Sequence, residues 1–262
     1  MVENAHGGNG ERRPKRGPRS GVPQSGPGRA RRAQPQHSSG DDRGAPTIPP
    51  GLEASQLAPE IRRELSTLDR ATADAVARHL VAAGELIDDD PEAALSHARA
   101  ARARSGRIAA VREAVGIAAY QCGDWAQALA ELRAARRMGS KSPLLPLIAD
   151  CERGLGRPER ALELARGPEA ARLSGDEADE LRIVVAGARA DLGQLEQALT
   201  ILSTPQLDPG RIGATAARLS YAYAETLLAL DRADEALQWF LRAAAADVDG
   251  VTDAEDRVSE LS

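Results

Sequence analysis

The chain has 262 residues, 42% of them hydrophobic, with a formal net charge of −5 at pH 7. That is enough apolar material for one extended core beside a tail, and no stretch approaches the roughly 18 to 20 uninterrupted apolar residues that a bilayer span needs. No secretory leader is evident in the first thirty residues, so the expected location is cytoplasmic, with no membrane partner.

Residues 1–50 contain nine Lys/Arg against four Asp/Glu, and they lack Leu, Phe and other aromatics. Rich in Gly and Pro, they cannot bury enough apolar surface to offset the entropy of ordering, so a disordered basic tail is expected there. Residues 51–262 form the expected helical domain. Charge is uneven within it: 51–98 carries −6, 99–141 carries +6 and 142–262 carries −10.

Helical periodicity sets in after Pro50, with a short leading helix predicted from Pro59 to about Leu68. The dipeptide Ala-Leu then recurs in matching surroundings at 94–95, 128–129, 161–162, 198–199 and 236–237. Twelve residues before each alanine stands a small residue: Ala82, Gly116, Ala149, Ala186 and Ala224. Between the two positions lie turn signals, Gly123-Asp124, Gly156-Arg157 and Gly193-Gln194, with Asp89-Asp90 and Asp231-Arg232 as polar substitutes. Pro168 and Pro205 predict short second helices in units three and four, at about 158–166 and 194–203. A closing helix is predicted from Thr252 to Leu261, with Thr252 and Glu255 at capping-box spacing.

This pattern resembles the tetratricopeptide repeat, a helix-turn-helix unit of about 34 residues. The resemblance covers roughly residues 70 to 246 and is degenerate, since the tyrosine position of the first helix is unfilled. It implies an all-α, right-handed superhelical solenoid of about five repeats. It further implies that the first helix of each hairpin lines a groove for a protein partner. Carried onto this chain, the groove residues are His79; Glu113, Ile117 and Tyr120; Asp150 and Arg153; Ile183; and Arg218, Tyr221 and Glu225. The Arg-over-Lys bias and the abundance of Ala are similar to those of high-GC actinobacterial proteins.

The basic segment suggests a second interaction. Helical spacing predicts that Arg99 and Arg102, together with Arg133, Arg136, Arg137 and Lys141, form an anion patch able to hold RNA or a ribosomal surface alongside the basic tail. The aromatic interleaving of a single-strand platform is missing, which makes this the alternative to a protein-binding scaffold. Cys122 and Cys151 read as buried thiols, and the histidines have no metal-ligand spacing. No Walker loop, H-E-x-x-H or G-x-S-x-G occurs. The sequence therefore predicts no enzyme, no cofactor and no metal, and the Asp-rich runs read as helix N-terminal charge.

Overall fold

The computed structural model describes residues 44–208 and 210–262, so the structure expected for most of the basic tail lies outside the described residues. The described residues form twelve α-helices and no strand. A leading helix α1 (Pro59–Leu65) is followed by five hairpins: α2 (Arg70–Leu86) with α3 (Pro91–Arg104), α4 (Ala109–Gln121) with α5 (Trp125–Arg137), α6 (Leu145–Gly154) with α7 (Pro158–Ala165), α8 (Gly175–Asp191) with α9 (Leu195–Ser203), and α10 (Ala214–Ala229) with α11 (Ala233–Ala246). The chain closes with α12 (Ala254–Leu261).

The hairpins share a local device. The first helix of each of the last four ends in a residue with positive φ, at Gly123, Gly156, Gly193 and Asp231. The next backbone N–H then returns five residues, from Asp124 to the Ala119 carbonyl, Arg157 to Glu152, Gln194 to Arg189 and Arg232 to Leu227. This Schellman closure satisfies carbonyls that the helix end would otherwise leave unpaired. The first hairpin lacks it. There the Asp90 N–H bonds the Leu86 carbonyl, and the Asp90 side chain accepts from the Ala93 N–H to start α3.

Burial follows the repeat. The alanine of every Ala-Leu pair is 0% exposed, and all five small residues of the first helices are buried. The two helices of the second hairpin approach closely, since a Cβ on Gly116 would stand 2.7 Å from two Leu132 side-chain carbons. Each second helix packs on the next first helix, and first helices also touch one another across the pairs α2/α4, α6/α8 and α8/α10. The array thus stacks its first helices as one layer, as solenoids do.

The short second helices are present as predicted, ending at Ala165 and Ser203. Behind α9 a long connection would leave helix-end carbonyls bare, and the Arg182 guanidinium reaches them instead. Its Nε donates to the Ile201 carbonyl at 3.0 Å, and an Nη also donates to those of Leu202 and Pro205.

Three local expectations change. The leading helix is shorter than predicted, ending at Leu65. The last helix starts at Ala254 without the Thr252 capping box, because Thr252 is drawn back onto Asp247, which accepts from both its N–H and its hydroxyl. Packing also begins upstream of Gly51, since Ile48 lies with Leu57 against Leu52, Val81 and Ala82.

Candidate functional site

The layer of first helices carries a ladder of polar contacts from one hairpin to the next. The Tyr120 hydroxyl of α4 donates to Asp150 of α6 at 2.6 Å. Arg153 of α6 donates to the same carboxylate at 2.7 Å and reaches Asp191 of α8 at 2.8 Å. Arg153 crosses through space that Gly187 leaves open, because a Cβ there would lie 2.6 Å from the guanidinium carbon. Burial, then the Asp150 charge, push the Tyr120 hydroxyl's pKa above its ordinary value. Burial raises the neighbouring Cys151 thiol to about 12.

The ladder continues at Glu180 of α8, which accepts from Thr215 and Arg218 of α10. Its last rung belongs to α12. Arg257 holds Glu225 at 2.9 Å, and Tyr221 lies edge-on to Phe240 with its hydroxyl facing Asp253. Burial first, and that carboxylate second, raise the Tyr221 hydroxyl's pKa. The terminal helix thus engages two residues that sequence spacing assigns to the groove.

The predicted groove residues therefore divide. Tyr120, Asp150, Arg153, Arg218, Tyr221 and Glu225 lie on the expected layer but are engaged by one another, by Glu180 and Asp191 of α8, or by the chain's last helix and its N-terminal Asp253. Ile183 is half-buried against the Ala186–Leu202 core. His79 is a correction: it is 2% exposed and turned inward against His97, not lining a groove. That contact depends on how α3 and the upstream segment close over α2, which repeat spacing cannot show.

Glu113 and Ile117 stand apart, because they border an open concavity of about 680 Å³ between α1, α4 and the 139–142 connection. Ile61, Ala110, Ala114 and Ile117 supply its apolar lining. Two of its carboxylates are engaged: Glu64 accepts from the Ala110 N–H at 3.1 Å, and Glu113 accepts from the Ser140 and Ser142 hydroxyls. Arg63 and Lys141 line the same space without an ion pair among the described residues. Sequence reasoning found Glu113, Ile117 and Lys141 but missed Ile61 and Arg63. Nothing local announces that α1 folds back beside α4.

Most cations of the predicted anion patch face carboxylates. Glu131, 4% exposed, is clamped by Arg102 at 3.0 Å and Arg112 at 2.8 Å. Glu152, 3% exposed, is held by Arg133 and Arg157. Arg136 pairs with Glu169 at 2.9 Å, and Arg99 faces Gln127 and Asp124. Arg137 and Lys141 are exposed and have no ion pair among the described residues. The acidic partners come from other helices, so a count of charges along the chain hides them.

Cys151 is buried as expected, whereas Cys122 is half-exposed at the second hairpin turn. Among the described residues, no group of three or more His, Cys, Asp or Glu could hold a metal ion, and no helix is long and apolar enough to cross a membrane.

No protein-family model matches the chain, and no curated protein matches it. Among solved structures it is similar to YrrB, described as a TPR protein with an unusual peptide-binding site, at 21% identity over 71% of this chain and 93% of that chain, with a TM-score of 0.43. Five hairpins with buried small residues and Ala-Leu pairs in register make the described residues an all-helical array of helix-turn-helix units.

Proposed function

We propose that the chain is a non-catalytic docking scaffold. It holds an extended protein segment in the concavity between α1, α4 and residues 139–142. The observation that carries this reading is the contrast along the layer of first helices. From Tyr120 onward its polar groups are spent on one another, whereas the α1/α4 concavity keeps an apolar lining and two uncommitted cations, Arg63 and Lys141. An apolar pocket with a few convergent charges suits side chains presented by a flexible segment. The cations favour a segment that carries carboxylates as well as apolar anchors.

Panning a random displayed-peptide library on the full chain is expected to enrich apolar sequences with Asp or Glu. Arg63→Glu with Lys141→Glu, both at the rim, is expected to weaken a selected peptide at least tenfold, about 1.4 kcal/mol. Ile117→Ala is expected to weaken it by a similar factor through lost apolar contact. Selected peptides indifferent to all three changes would contradict the proposal, as would a chain that retains only RNA under the same conditions.

A further inference from the structure

The first hairpin contains a feature that peptide docking does not use. His79 of α2 and His97 of α3 face each other with Nδ1 to Nδ1 at 3.0 Å, at 2% and 4% exposure. At that distance one nitrogen must donate and the other accept, so the two Nδ1 atoms share one proton. A second proton would set two N–H donors against each other inside the protein. This holds whatever the remaining ring nitrogens meet.

Along their own helices the residues three and four positions away are Ala75, Val76, Ala82 and Ala83 for His79, and Ala93, Ala94, Ala100 and Ala101 for His97. On α2, Arg78 turns to the Leu52 carbonyl, while Asp74 and Glu85 are exposed. On α3, Arg99 and Arg102 are directed to Asp124 and Glu131, and Glu92 and Arg104 are exposed. From the neighbouring elements, Glu53 is taken by Ser55, Glu64 by the α4 N-terminus and Arg112 by Glu131. None of these charges appears among the causes acting on the His97 imidazole, whose pKa is lowered by burial alone.

We propose that the His79–His97 contact is an acid-sensitive latch that keeps α2 closed on α3 at neutral pH and releases the first hairpin as the pH falls below about 6.5. The sign follows from proton counting. An unfolded histidine takes its proton near pH 6.5, whereas the closed pair refuses the second one. The open form therefore binds more protons, and closure weakens as pH drops. Because Val81 and Ala82 of α2 carry Ile48, Leu52 and Leu57, release of α2 also frees that upstream segment.

Hydrogen exchange on the full chain at pH 7.5 and 5.5, corrected for intrinsic rates, tests the latch. One withheld proton predicts opening of residues 70–104 favoured by up to about tenfold per pH unit below 6.5, with α8–α11 unchanged. His97→Asn offers a non-titrating amide to the His79 nitrogen and is expected to remove the effect. Equal acceleration in that variant, none in the wild type, or the same acceleration in every hairpin would each overturn the proposal. Imidazole nitrogen NMR of the wild-type chain at pH 7.5 gives a reading that needs no variant. One protonated and one bare Nδ1 is expected, and two bare Nδ1 atoms would overturn the shared proton.

Discussion

Phe240→Ala is expected to destabilise the last hairpin by about 3–5 kcal/mol, the usual range for removing a fully buried phenyl ring. Phe240 is 0% exposed and packs with Leu199, Ala224, Leu227 and Ala236, so the cavity would open between α9, α10 and α11. It also supports Tyr221 edge-on at 5.3 Å, and Arg257 of α12 lies 5.4 Å from its ring centre. In a repeat array each unit is stabilised chiefly by its neighbours. The loss is therefore expected first as faster hydrogen exchange and earlier melting of α10–α12, with α2–α5 retaining protection. A uniform loss across all five hairpins would show a more cooperative array than this packing implies.

Gly116→Leu is expected to cost about 3 kcal/mol, at the upper end of ordinary overpacking. Even a Cβ at this position meets Leu132 side-chain carbons at 2.7 Å and the Leu132 backbone nitrogen at 3.1 Å. Leu132 is itself 0% exposed, so rotating it away would displace other core residues, and α4 must part from α5. Ala130→Leu, on the exposed side of α5, should change stability by no more than about 0.5 kcal/mol. Thermal melts of the two variants beside the wild-type chain check the contrast. Equal melting temperatures would break the link between small residues and hairpin closure.

The hairpins were legible in the sequence because their requirements are local. Close helix approach needs a residue such as Gly116, and the closing turns need positive φ at Gly123, Gly156 and Gly193. Each requirement leaves a mark at a fixed distance from the last. The candidate site was much less legible, because side chains on one layer choose between an outside partner and the adjacent hairpin. Arg153 has the charge and position of a groove residue, yet the notch at Gly187 and the carboxylate of Asp191, more than thirty positions away, draw it across to α8. Tyr221 and Glu225 are taken by α12 in the same way. Arg102 and Arg133 look like surface cations until Glu131 and Glu152 fold against them. Conversely, Ile61 and Arg63 become candidate contacts only because α1 returns beside α4.

Hydrogen exchange of the full chain with and without a saturating selected peptide tests the central claim most directly, since it reads out where the segment sits. Docking in the proposed concavity predicts added protection in residues 59–65, 109–121 and 138–144, with α8 and α10 unchanged. Protection centred instead on α8 and α10, where Arg153, Arg218 and Tyr221 are already engaged, would contradict the account.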